Sequence, residues 1–299
     1  MSSVDPNVAP NDLALHPFES PNSDQVEAEL IRVAKMSDKQ VARARELQRK
    51  QNISFLQAAI AIRAVSRESL MAALSRQFSY PIIHSDNDAS PFSRELVVGH
   101  EPFGPAAEEI RSIRSALVST AIAKGVRAFA IVGSRAGMGS TYFAGNLAIA
   151  FAQMSVATLL VDANLRDPRI GVMFGADRFR EGLAETILHR SLDNPSIIHD
   201  VMPGLSILPA GAIPPNPQEL LCSEEFLVLT GHFSGDFGVV IYDTPSALDY
   251  ADAYVVASRV GAALIVARKN EATFDDVSKM TTRLRGMDCN IIGSVFNNG

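Results

Sequence analysis

The chain has 299 residues, 47% of them hydrophobic and 20% charged, enough to bury a sizeable core in one large unit or in a medium unit beside a small one. Its net charge is −6 and it carries no block of lysine and arginine, which argues against nucleic-acid binding as its main task, because counterion release needs a basic surface. The apolar runs at 239–241 and 262–267 are far too short to span a bilayer, the N-terminus shows no secretory pattern, and Cys222 and Cys289 form neither a metal spacing nor a disulfide framework.

Residues 1–24 are rich in Pro, Asn, Ser and Asp without periodicity and read as a disordered leader. Over 25–82 apolar residues recur at helical spacing. Ser37 precedes a segment carrying Val41 and Leu47 and is the expected N-cap of one helix. Ser66, ahead of Leu70, Leu74 and Phe78, is the expected cap of another. The segment is a small helical bundle with no cluster of catalytic residue types. Residues 83–104 contain two groups of turn formers and read as a linker.

From 105 to 299 the pattern alternates. A helix is expected over 105–123 and a strand over 127–132. A helix over 139–154 follows, then a strand over 158–162 that ends on Asp162. A short strand at 205–209 precedes one over 239–243 that ends on Asp243. Strands over 262–267 and 291–295 complete the set. Apolar strands separated by helices predict an α/β fold with a mostly parallel sheet and helices on both faces. Ligands of such sheets sit at the carboxyl ends of the strands.

The turn after the first of these strands reads Gly133-Ser-Arg-Ala-Gly137-Met-Gly139-Ser140-Thr141. Glycines let backbone N–H groups surround an anion, and the following helix adds its positive end. Against the phosphate-loop pattern G-x-x-x-x-G-K-[ST], Gly139 and Thr141 match, Ser134 stands at the first glycine, and Ser140 replaces the lysine. Thr141 sits where a hydroxyl would hold Mg²⁺. Asp162 and Asp243 at two other strand ends suggest the rest of a Mg²⁺ shell, or a general base. Each of these acids has a plainer reading as the cap of its own turn.

These pieces together resemble the bacterial tyrosine autokinases of capsule and exopolysaccharide systems, whose fold is kin to the partitioning ATPases. The resemblance runs from about Glu108 to Asn297 and rests on ordered motifs. They are the loop Gly137-Met-Gly-Ser-Thr with Asn146-Leu-Ala behind it, Asp162-Ala-Asn164-Leu-Arg166-Asp-Pro168, and Asp243-Thr-Pro-Ser246 with Asp252-Ala253. Glu108, Arg111 and Arg114 match the family's oligomerisation motif E-x-x-R-x-x-R and fall along one helix face. The stretches Leu208-Pro-Ala-Gly-Ala-Ile-Pro-Pro-Asn-Pro-Gln-Glu-Leu-Leu221 and Ala267-Arg268 look like the stand-alone kinases associated with a chain-length determinant in exosortase-linked clusters. Residues 25–82 resemble the small N-terminal domain of type II secretion ATPases. Some of those bind cyclic di-GMP through a motif that starts R-L-G, where this chain has Ser54-Phe55-Leu56, so the segment reads as a docking module.

The resemblance implies a P-loop NTPase-type domain over 105–299 that uses ATP and Mg²⁺. It implies phosphoryl transfer to protein tyrosine in exopolysaccharide synthesis and export. Phosphates would rest on Gly137, Gly139, Ser140 and Thr141, with Asn297 at the base. Mg²⁺ would be held by Thr141, Asp162 and Asp243, and Asp162 and Asp243 would be the catalytic acids. The partner would be the cytoplasmic segment of a membrane chain-length determinant, which places the protein in the cytoplasm at the inner membrane. Assembly would run through Glu108, Arg111 and Arg114. Four departures open a second reading, a kinase-derived scaffold of the same machinery. Ser140 removes the loop cation on which phosphoryl transfer depends. Asn164 replaces an aspartate, and Met138 stands where glutamate is frequent. The five tyrosines, Tyr80, Tyr142, Tyr242, Tyr250 and Tyr254, form no tail cluster. Arg135 and Arg166 are the candidate substitutes for the missing charge.

Overall fold

The computed structural model describes residues 27–28, 30–32, 34–51, 55–65, 81–83, 90–102, 104–176 and 181–298. The chain forms two compact units, Met1–His84 and Ser85–Gly299. The expected leader, the helix expected behind Ser66, Ser54 and residues 84–89 of the expected linker lie outside the described residues.

In the first unit, helix α1 (Asp38–Gln51) is followed by α2 (Phe55–Ala61). Ser37 caps α1 as expected. Its Oγ accepts from Gln40 N–H at 3.4 Å, and Gln40 Oε1 accepts from Ser37 N–H at 2.9 Å. This reciprocal pair satisfies two helix-start donors. Leu30, Met36, Ala44, Phe55, Ala58, Ala59 and Val65 form the unit's own small core.

The second unit opens with a short helix α3 (Val97–His100), then α4 (Pro105–Thr120), whose first-turn proline suits the helix start. Thereafter come β1 (Ala128–Gly133), α5 (Ser140–Ala152), β2 (Thr158–Asp162), α6 (Ile170–Met173) and α7 (Leu183–Leu188). Next are β3 (Ile198–Met202), β4 (Leu205–Leu208), α8 (Pro217–Cys222), α9 (Glu224–Asp236) and β5 (Val239–Asp243). The unit ends with α10 (Asp252–Val260), β6 (Ala262–Arg268), α11 (Phe274–Arg285) and β7 (Asn290–Asn297). The described strands form one sheet in the order β3-β4-β2-β5-β1-β6-β7. Every pairing is parallel except β3 with β4, so the expected α/β fold with a mostly parallel sheet is present. β1, β2 and β5 are buried along their whole length, as continuous apolar runs in a covered parallel sheet must be. β3 carries His199 and Asp200 on a bulged, half-exposed edge and lacks the apolar run that would announce a strand.

β5 lies between β2 and β1. Asp162 and Asp243 are therefore Cα partners across adjacent strands, and Asp243 is also paired with Ile131 of β1. The order of strands, more than the order of sequence, assembles the acids beside the glycine loop.

The segment read as a linker up to residue 104 behaves differently over 90–102. Leu96 and Val98 are fully buried, and Ser93 N–H donates to Met173 O at 2.8 Å. Asn146 of α5, itself buried, accepts from Val98 N–H at 2.9 Å and donates to Glu95 O at 2.8 Å. Gln153 Nε2 donates to Val98 O at 3.2 Å. A buried amide must find partners, and here it finds them on this strap. The turn formers of 90–102 bend a segment packed on α5.

Candidate nucleotide site

β1 ends on Gly133 and α5 begins at Ser140. Between them the chain reverses through Gly137 (φ 83°) and Gly139 (φ 86°), in the left-handed region that a Cβ disfavours. Gly139 is the N-cap of α5 and makes no side-chain bond, so the first N–H groups of a thirteen-residue helix face the cleft without intrahelical acceptors. The loop is anchored instead through its carbonyls. Ser134 O accepts from Leu248 N–H at 3.0 Å and Gly133 O from Ala247 N–H at 2.9 Å. Gly137 O accepts from Arg268 Nη1 at 3.2 Å, and Met138 O from Asn297 Nδ2 at 3.3 Å.

The cleft over the loop has a volume of about 760 Å³ and includes Gly137, Gly139, Ser140, Thr141 and Asn297 in its lining. Ser140 Oγ lies against Gly133 at the loop's base. Thr141 Oγ1 donates to Asp243 Oδ2 at 2.7 Å. Asp243 is fully buried, and its Oδ1 has no hydrogen-bond partner among the described residues. Burial pushes its carboxyl well above the ordinary range. The neighbouring Asp162 adds to this, and the Thr141 hydrogen bond opposes it. A hard divalent cation coordinated by oxygen would relieve that charge, so the Thr141–Asp243 pair fits Mg²⁺.

Asp162 is committed elsewhere. Its Oδ1 accepts from Asn164 N–H at 3.2 Å, and its Oδ2 accepts from Arg169 N–H at 3.0 Å and Ile170 N–H at 2.9 Å. Burial pushes it up to about 7 against the pull of those N–H groups. These three bonds cap the turn after β2.

Arg135 and Arg166, the expected substitute cations, are both taken. Arg135 makes a two-pronged pair with Asp276 at 3.0 Å on each prong. Arg166 makes one with the buried Asp252 at 2.7 and 3.1 Å, and its guanidinium stacks 4.3 Å from the Tyr250 ring centre. The second and third acidic motifs are thus joined to each other by Arg166 and Asp252. Glu95, Arg169 and Arg268 also line the cleft and had been given no part in the site by their sequence context. The residues of the expected oligomerisation motif are bonded within the chain as well. Arg111 bonds Glu108 at 2.7 Å and also Pro102 O, while Arg114 Nη1 donates to Ala150 O at 2.8 Å, tying α4 to α5.

Comparison with known proteins places this geometry. Residues 126–275 match the family model described as cellulose biosynthesis protein BcsQ. Over 204 residues the chain is 31% identical to the putative tyrosine-protein kinase EpsB of Ralstonia solanacearum, covering 68% of this chain and 27% of that protein. Among solved structures, the chimerical protein CapA2B2 is 30% identical with a TM-score of 0.64, and the match covers 76% of this chain and 97% of that one. The kinase domain of Escherichia coli tyrosine kinase ETK is 29% identical with a TM-score of 0.63, over 68% of this chain and 79% of that one. The chain belongs to the bacterial tyrosine-protein kinase family. It spans about a quarter of the length of the EpsB protein it matches. Within the family's P-loop fold, Thr141 is hydrogen-bonded to Asp243 and Ser140 stands at the lysine position.

Proposed function

We propose that this protein is a Mg-nucleotide-binding regulator of exopolysaccharide synthesis and export. Phosphoryl transfer from ATP to protein tyrosine is the activity carried by the names of its relatives. The observation that supports nucleotide binding best is the Thr141–Asp243 hydrogen bond beside a buried carboxylate oxygen that has no partner among the described residues, at the start of the helix that follows the glycine loop. Bound Mg²⁺ would supply charge neutralisation between the phosphates. Thr141 and Asp243 would hold it, and phosphates and water would complete its shell. The N–H groups of 137–141 would orient the phosphates, helped by the positive end of α5. Asn297, hydrogen-bonded to the loop, would face the base. Asp162 would act on the site through its neighbour's charge and through the shape of the 162–170 turn.

A second reading is favoured by Ser140, which leaves the loop without its own cation. Phosphoryl transfer relies on positioning and charge stabilisation, so this loss should lower the rate severely. On that reading the fold serves as a nucleotide-responsive scaffold for the chain-length machinery. The first unit would dock to that machinery, and the cytoplasmic segment of a membrane chain-length determinant would be the partner of the second. Such a partner would hold the protein at the inner membrane. No helix among the described residues is long and apolar enough to cross a membrane itself.

The test is a phosphorylation assay with Mg-ATP and a peptide from the cytoplasmic segment of that determinant, read by anti-phosphotyrosine blot and mass spectrometry. Phosphotyrosine formed by wild type and lost in Asp243→Asn supports the kinase. Transfer by Ser140→Lys alone supports the scaffold.

A further inference from the structure

The cleft is lined by four arginines, Arg135, Arg166, Arg169 and Arg268. Three are neutralised by carboxylates. Arg135 is paired with Asp276, Arg166 with Asp252, and Arg169 with Glu95 at 2.9 Å. Arg268 is different. Among the described residues it has no carboxylate partner, and its side chain donates from Nη1 to the Gly137 carbonyl of the loop. It stands at the end of β6, the strand beside β1, and two residues beyond Val266, the register partner of Gly133. The one cleft arginine without a carboxylate therefore lies on the loop that lacks a lysine.

We propose that Arg268 is the phosphate-gripping cation of this site, supplying from the neighbouring strand of the same chain the charge that Ser140 does not. The inference rests on the nucleotide-binding reading above. A guanidinium has five N–H donors in a planar fork suited to phosphate oxygens, and Arg268 uses one of them here. The hydrogen bond to Gly137 O keeps the fork at the loop's rim, where a bound phosphate chain would pass. An arginine in this role grips from the side of the loop, whereas a loop lysine grips from within it. The ligand class is a nucleoside di- or triphosphate. The nucleoside moiety itself needs nothing from Arg268.

The test uses the full chain and a ladder of ligands, adenosine, AMP, Mg-ADP and Mg-ATP, titrated by calorimetry into wild type, Arg268→Ala, Arg268→Lys, Ser140→Lys and Ser140→Lys/Arg268→Ala. The expected result is a roughly 10- to 100-fold loss of Mg-ADP and Mg-ATP affinity in Arg268→Ala, the size expected for charge-assisted hydrogen bonds. Adenosine binding should be unchanged. Arg268→Lys should recover part of the loss, and the double variant most of it, because the restored loop lysine replaces the grip. Equal weakening of every ligand would overturn the proposal and make Arg268 a strut of the loop. Unchanged Mg-ATP affinity in Arg268→Ala would overturn it while leaving the nucleotide site intact. Silence of wild type toward all four ligands, with Ser140→Lys binding Mg-ATP, would overturn both this role and the nucleotide-binding reading.

Discussion

The turns that follow β1 and β2 end neighbouring parts of one sheet and are built on opposite plans. The β2 turn is closed from within. Asp162 accepts three of its N–H groups, Asn164 both accepts from and donates to Asp167, and Arg166 is locked to Asp252. The β1 loop is held from outside by its carbonyls, through Leu248, Ala247, Arg268 and Asn297. A loop fastened by its oxygens keeps its N–H groups for something else. The contrast teaches that the glycine loop and the acidic turn, both expected to serve a nucleotide, are fastened in opposite ways. On the proposed function, one is a brace and the other a cradle.

Substitutions can break this comparison. The largest effect is expected from Arg166→Ala, which strands the fully buried Asp252 carboxylate. Loss of one partner of a buried pair destabilises by roughly 3 kcal/mol or more, and urea denaturation of the second unit would report it. Arg169→Ala is the control on the same turn. Its pair with Glu95 is half-exposed, and the expected loss is about 0–1 kcal/mol. Gly139→Ala comes next, at about 1–2 kcal/mol for a left-handed residue gaining a Cβ, and it should remove nucleotide binding because that Cβ also meets Asn297. In the first unit, Ser37→Ala should cost ~1 kcal/mol by loss of the cap, measured as helix content against temperature.

A pH-dependent effect separates brace from cradle further. Asp162 has a folded-state value raised to about 7 by burial, above its ordinary unfolded value of about 3.9. The folded state therefore binds this proton more tightly than the unfolded chain. The stability it contributes is full below about pH 4 and is lost as pH rises through about 7. Urea midpoints of wild type should fall across that window, and those of Asp162→Asn should fall less. Equal slopes would remove Asp162 from the account.

Much of the fold was legible because its strands are short apolar runs ended by acids, and period and punctuation suffice to find those. β3 was not legible, since an edge strand with His199, Asp200 and a bulge has no such pattern. The strap at 90–102 read as linker because its turn formers are visible in sequence while its buried partners, Asn146 and Gln153, are about fifty residues away. In the site, the glycine loop, Thr141 and Asp243 announced themselves by motif. What arginines do was hidden, because a guanidinium's partner is fixed by the sheet order. Arg135 and Arg166 were the conspicuous cations and proved to be paired, while Arg268, noticed only as part of a family-like dipeptide, reached the loop.

The most direct measurement of the central claim is a calorimetric titration of Mg-ATP into wild type beside Thr141→Ala, with and without excess chelator. The account predicts saturable, Mg²⁺-dependent binding by wild type that Thr141→Ala loses, because the hydroxyl and Asp243 act as one metal-holding pair. Wild-type binding that is indifferent both to the chelator and to Thr141 would contradict it.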